Sequence, residues 1–424
     1  MITNTITLRK ALGLTSNDSM IIAHEFLSQP DSTLTYRIKD IKNMNECALT
    51  LATPRDIVIL DKLTTPDYYN WLMRYNLTTE NLIILNSKTN KTLPKLIIRN
   101  KTEIKDKIKE IRSASKSSGR TIYIPRFCNY ADYNAAKSLN IDILGCKPSL
   151  ILKFYNKYNF KQLCKEHNIP VIESVLLDFK NKRAESYATL KELVKVHKAL
   201  VMKDLTSSAG ANFTTITRKV PNINNIPHKI FSVEKIVKVE KEFTTQAIIT
   251  GNGEIKIIDT SQILAKNFKQ FGNKYLTDKR VIQKLHKLTY DVAYIMKSQG
   301  FKGIFGLDII KTNNKYYISE NNTRLNGSLY AWEILKKIIK QYGPVKHALY
   351  LNFSLPVMPF NIFISIIEGL IYNGKNKHCI FPINVTRLKT DGKISLLITG
   401  KTMKQVKEIL KTLEVKGIKS NFKT

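Results

Sequence analysis

The sequence predicts a protein of mixed α/β and α+β architecture: an open α/β domain first, then a larger mixed region, then a small α+β domain. Three observations predict it. Short Ile- and Val-rich runs alternate with helical or turn segments through the first third, MIIA at 20–23, DIVIL at 56–60, LIIL at 82–85 and TIYI at 121–124, and such runs read as buried parallel strands. From Pro148 the pattern changes to helices and hairpins, and after Pro356 a strand, a turn and a capped helix close the chain. The expected domains are therefore 1–148, 149–356 and 357–424.

Composition supports a folded protein. With 424 residues, 43% hydrophobic and 24% charged, the chain has room for several domains, and disorder, collagen and coiled coil are excluded. The longest apolar stretch, 357–372, is interrupted by Pro359, Asn361, Ser365, Glu368 and Gly369 and falls short of the roughly 18 clean residues a membrane span needs. The amino terminus lacks a basic start followed by an apolar run, so no secretory signal is expected. Five scattered cysteines without CxxC spacing suit reduced thiols and a cytoplasmic location. The net charge of +34 suits an anionic partner. Yet the lysines are spread along a Lys-, Ile- and Asn-rich chain with no nucleic-acid module, which favours compositional drift over a nucleic-acid site.

Each element has a local cause. The segment 102–115 carries Ile104, Ile108 and Ile111 on one face and reads as a solvated amphipathic helix. A helix over 160–167 stops before Pro170, and ALVMK at 199–203 is a strand running into a small-residue loop. FTTQAIIT, GNG and EIKIID (243–259) form a hairpin turned by Gly251 and Gly253. A helix over 280–299 presents Ile282, Leu285, Leu288, Val292 and Ile295 and ends at Gly300. The final domain has a TDGK turn at 390–393, the strand ISLLI and a helix begun by Thr402 with Gln405 at capping-box spacing and ended by Gly417.

The segment GIFGLDIIKTNNKYYISENNTRLNG (303–327) carries the sharpest chemistry. Two strands flank a KTNN turn, so Asp308 and Glu320 face the same way, with Asn322 two residues on. Hard oxygen donors without His or Cys suit Mg²⁺, which takes one or two carboxylates plus phosphates and water. A solvated strand edge is the alternative, weakened because both acids sit among apolar residues.

With Gly303 and Gly306 before it and Arg324 after it, this pattern resembles the metal-binding end of the ATP-grasp superfamily. Upstream, NKxxF at 156–160, VMK ending at Lys203, SSAGAN at 207–212, VEKIV at 233–237 and EFTTQ at 242–246 resemble the family's other marks in order. The resemblance covers 149–329, and 1–148 resembles the pre-ATP-grasp domain. Softer similarities, the TTQAII strand, SQILAKNFKQFGNKY and the DGK turn, resemble pheganomycin-type peptide ligases.

The resemblance implies ATP and Mg²⁺, with Mn²⁺ as an alternative. Lys157 and Lys203 would neutralise phosphates. Ser207, Ser208 and Gly210 would close a backbone cradle over them. Glu234 and Ile236 belong to the adenine hinge, and Glu242 would bind the ribose. Asp308, Glu320 and Asn322 would hold the metal, while Arg324 and Lys203 serve the reaction. Each has a plainer reading: lysine is abundant, the Ser–Ala–Gly loop could be a surface turn, Glu234 and Glu242 could be salt-bridged strand residues, and Arg324 could balance Glu320. The implied activity is an ATP-dependent carboxylate–amine ligase acting through an acyl phosphate on small-molecule or peptide substrates. Nucleic acid and membrane are disfavoured as partners, and a homodimer is a candidate assembly. A non-catalytic ATP-binding module and a basic nucleic-acid binder are the alternatives.

Overall fold

The computed structural model describes residues 2, 6–26, 43–86, 91–114, 119–206, 213–217, 219–266 and 269–422. The SSAGAN loop, with Ser207, Ser208 and Gly210, lies outside them.

The Ile/Val runs of the first third form a parallel sheet. β1 (Ser19–Ala23), β2 (Ile57–Leu60), β3 (Leu82–Ile84), β4 (Thr121–Pro125) and β5 (Asp142–Ile143) are ordered β3-β2-β1-β4-β5. Neighbouring residues of β1 feed different cores: Ile22 joins one apolar cluster and Ile21 another on the opposite face, as a sheet covered on both sides requires. The helix Lys101–Ala114 buries Ile104 and Ile108, while Ile111 remains half-buried.

A second, antiparallel sheet has the order β6-β9-β7-β8, from β6 (Ser174–Asp178), β7 (Ala199–Asp204), β8 (Phe213–Thr217) and β9 (Ile230–Lys235). The helix Arg183–His197 closes its apolar face through Leu190 and Val194.

The third sheet is the largest. β10 (Lys241–Ile249), β11 (Ile255–Lys266), β12 (Lys269–Tyr275), β13 (Gly303–Thr312), β14 (Lys315–Asn322), β15 (His347–Ser354), β16 (Ile380–Asn384) and β17 (Lys393–Gly400) run in the order β14-β13-β10-β11-β12-β15-β17-β16. β18 (Lys419–Ser420) pairs with β15. The helix Lys279–Ser298 packs Leu285, Val292 and Met296 against β10 and β13. Its start is capped by Asp278, whose carboxylate accepts from the Arg280 amide at 2.9 Å, and Gly300 follows its end at φ +84°.

The end of the chain departs from expectation in three ways. β15, β16 and β17 share one sheet with β10–β14, so strands on both sides of the expected boundary at 356/357 are hydrogen-bonded into one structure. Residues after Val357 form the helix Phe360–Ile366, which buries Phe360 and Phe363, before any strand appears. The TDGK segment is not a free turn: Thr390 and Asp391 end the short helix Leu388–Asp391, and Gly392 terminates it at φ +66°. The last helix, Met403–Val415, is capped as its sequence predicts, Thr402 accepting from the Gln405 amide at 3.1 Å. The amino-terminal part meets this end directly, since the Tyr68 hydroxyl lies 3.0 Å from the carbonyls of Pro382 and Ile383.

Candidate active site

The site forms where the second and third sheets face each other across a cavity of about 500 Å³. Lys157, Lys203, Glu234, Ile236, Glu242, Asp308, Glu320, Asn322 and Arg324 all line it. Nine side chains singled out from separate stretches of sequence therefore share one space.

The carboxylate hairpin is set by its turn. Asn313 and Asn314 adopt φ +48° and +59°, the left-handed pair a two-residue hairpin turn favours. The resulting register places Asp308 opposite Glu320 and Gly306 opposite Asn322. Asn322 Nδ2 donates to Asp308 Oδ2 at 3.0 Å and Glu320 Oε1 at 3.3 Å, while its Oδ1 accepts from Arg324 Nη2 at 2.9 Å. Burial and the neighbouring Glu320 push Asp308 well above the usual carboxylate range. Glu320 is also buried, but Lys157 outweighs that and holds it low.

The turn after β14 is pinned by Gln246, missed in the sequence. Its Nε2 donates to the Arg324 carbonyl at 3.0 Å and its Oε1 accepts from the Asn326 amide at 2.8 Å. Gly306 makes room for this turn, because a Cβ there would lie 2.1 Å from Asn326 Nδ2. Asn321, without an evident role in the sequence, donates to the Phe154 carbonyl at 3.3 Å and ties β14 to the helix Pro148–Tyr155.

The lysines enter from the opposite side. Asn156 caps the helix Lys157–Glu166, accepting from the Tyr158 and Asn159 amides, so Lys157 takes the first helical position. Its amide donates to the Leu205 carbonyl at 2.9 Å, joining this helix to the end of the Lys203 strand. Burial pulls the Lys157 ammonium down, but Glu320 reverses this and holds it above its ordinary value.

Glu234 is spent within the protein. Its carboxylate pairs with Lys203 at 3.0 Å and with Lys161 at 2.7 Å. Lys161 was not anticipated: one helical turn after Lys157, it is almost wholly buried, and burial with Lys203 nearby brings its ammonium down to about 8. Glu242 is half-buried in β10, and burial raises it against the pull of Lys203. The Ile236 amide donates to the Ala199 carbonyl at 3.1 Å, tying the end of β9 to β7.

The donor set fits a hard divalent cation. The two carboxylates can bind Mg²⁺ while leaving positions for phosphate oxygens, whereas the Asn322 oxygen, expected as a third ligand, is engaged by Arg324 and must turn to join them. The Asn322 amide hydrogens now bridge the two acids, as a cation between them would. Among the described residues no group of three His, Cys, Asp or Glu side chains gathers as a metal cluster.

Comparison with known proteins places this architecture. No protein-family model matches the chain, and no curated protein matches it. Solved structures do. Biotin carboxylase from Campylobacter jejuni aligns with a TM-score of 0.56 at 12% identity, covering 95% of this chain and 92% of that one. N5-carboxyaminoimidazole synthetase from Staphylococcus aureus aligns at 0.54 and 11% identity over 98% of this chain and 100% of the other. The carboxyaminoimidazole ribonucleotide synthase of Aspergillus clavatus, crystallised with ATP, gives 0.54 at 12% identity, with 95% and 99% covered. The chain has the ATP-grasp fold. That likeness runs nearly end to end, so the parallel sheet and the strands after 356 belong to it as fully as the centre does. Among the described residues, no helix of this ATP-grasp fold is long and apolar enough to cross a membrane.

Proposed function

We propose that this protein is an ATP-dependent ligase that joins a carboxylate to an amine through an acyl phosphate. The observation that carries the reading is the meeting, in one cavity, of two lysines from one side and the Asp308, Glu320, Asn322 and Arg324 set from the other. Four of the similar structures were crystallised with ADP or ATP, which supports a nucleotide in this cavity.

Phosphoryl transfer asks a protein mainly for positioning and charge neutralisation. Lys157 and Lys203 supply positive charge to phosphate oxygens, and Glu242 accepts from ribose hydroxyls. The Ile236 carbonyl accepts from the adenine amine. Asp308, Glu320 and Asn322 would hold Mg²⁺, which when bound offsets the charge of the terminal phosphates. Arg324, its guanidinium braced by Asn322 and Asn326, steadies the acyl phosphate and the negative charge that develops when the amine attacks. Peptide-type ligation in a cytoplasmic setting is the finer form of this proposal, resting on the resemblance to pheganomycin-type ligases.

The test is direct. Mg-ATP at millimolar concentration should raise the melting temperature by mass action, and ATP with hydroxylamine should yield a hydroxamate from one acid in a panel of carboxylic acids and peptides. No thermal shift, with no binding by calorimetry, would reject the reading.

A further inference from the structure

Among the described residues, Arg126 is a buried cation at this cavity without a counter-ion. Arg126 follows β4 of the parallel sheet, lines the cavity and is only 9% exposed. Among the described residues it forms no ion pair, and its Nε and Nη1 have no hydrogen-bond partner. Arg324, 8% exposed, likewise has an unpartnered Nε, although its two Nη groups are held by Asn322 and Asn326. The two arginines are linked through the backbone, the Leu325 amide donating to the Arg126 carbonyl at 3.0 Å. The Arg126 guanidinium lies 3.9 Å over the Phe26 ring, which fixes its plane. Mutual repulsion with Arg324 adds to the effect of burial and lowers Arg126 to about 10.

A buried, uncompensated guanidinium is costly. A carboxylate is the counter-ion such a guanidinium takes best, since its oxygens accept charge-assisted N–H bonds, and Arg324 Nε offers a further unfilled donor. The rest of the cavity states what that carboxylate belongs to. The acids lining it, Glu234, Glu242, Asp308 and Glu320, all lie on β9, β10, β13 and β14. At the other end of the large sheet the lining is Gln270, Asn273, Tyr350, Asn352, Asn384 and Ser395, on β12, β15, β16 and β17, without a charge.

Resting on the ligase reading, we propose that Arg126, together with Arg324, docks the carboxylate that is to be activated, and that this acid has a neutral, hydrogen-bonding body. Arg324 reaches both Asn322 of the metal-ligand set and this clamp, so the held carboxylate faces the phosphoryl group to be transferred. Among the described residues lining the cavity on β12, β15, β16 and β17, an acid with a cationic body would find no counter-charge.

The test compares Arg126→Met and Arg126→Lys with the wild type. Without ligand, Arg126→Met should melt at the same temperature or roughly 1 to 4 °C higher, since it removes a buried unpaired charge; a clear fall would make Arg126 a structural residue and overturn the proposal, whether or not a substrate is in hand. In the hydroxamate assay with N-acetyl amino acids, hydroxy acids and aliphatic acids, the Met variant should raise the KM of the best acid roughly tenfold or more, with Lys partly restoring it. The KM for ATP should stay within about twofold. An unchanged acid KM overturns the clamp, as does equal competition by the primary amide of that acid or by a phosphate monoester. Mg-ADP calorimetry separates the two ideas: binding in wild type and variants alike, with no effect of Arg126 on the acid, rejects the clamp alone, whereas no binding in any of them rejects the ligase reading.

Discussion

Lys157 Nζ lies 2.5 Å from Glu320 Oε2, joining the first residue of a helix to a strand 163 positions later. The pair spans the cavity, with Lys157 on the helix side and Glu320 on β14. It leaves Glu320 charged and Asp308 as the acid that holds a proton near neutrality. Phosphates and a divalent cation would compete for both members of the pair, so the ligand-free geometry preserves the charge balance that binding replaces.

Glu320→Gln should lower turnover roughly a hundredfold or more, by removing a carboxylate from the charge-stabilising centre. The variant also leaves Lys157 without its partner, but the fold should persist. Circular dichroism and the hydroxamate rate check both, and near wild-type turnover would remove Glu320 from the site.

Binding of Mg²⁺ with ADP should release a proton, and the release should grow as pH falls from 8 towards 6.5. The sign follows from Asp308: its raised pKa keeps it partly protonated near neutrality, and cation binding favours the ionised form. Calorimetry in buffers of different ionisation enthalpy measures the proton count. Equal release at both ends of this range would contradict the assignment.

Glu234→Gln should destabilise the protein by about 3 kcal/mol, the scale for breaking a buried ion pair and leaving its partners uncompensated. Lys161 and Lys203 would then face each other without the intervening carboxylate. The measured quantity is the shift of the denaturant midpoint. A double variant, Glu234→Gln with Lys161→Met, should recover part of the loss.

Gly306→Ala should impair catalysis more than folding. The added methyl strikes Asn326, which braces Arg324 and donates its backbone amide to Gln246 Oε1. An unchanged kcat with unchanged KM values would show that this turn does not set the position of Arg324.

If the +34 charge is compositional drift, kcat/KM for a neutral-bodied acid should decline only modestly from low to high salt, and added DNA should leave turnover unchanged. A steep decline would point to a substrate of higher negative charge.

The hairpin acids were legible because a polar turn between two apolar strands sets register locally, and register decides which side chains share a face. The helix cap at Thr402 was legible in the same local way, whereas the caps at Asn156 and Asp278 emerged only with the structure. Lys161 was not, since in a chain with 68 Lys and Arg residues one more lysine carries no signal until its burial is known. Gln246 lay in a strand that had been singled out, yet its work is done on a turn 80 residues away.

The sequence by itself determined the periodic elements, the parallel character of the first sheet and the facing of the two hairpin acids, because these depend on neighbours a few positions apart. Tertiary structure alone decided that Glu234 is consumed by two lysines, that Arg126 from the parallel-sheet region reaches the same cavity, and that one sheet continues through 356. The physical reason is that ion pairing and desolvation depend on which distant surfaces are brought together and cleared of water, and a local pattern of residues contains no record of that.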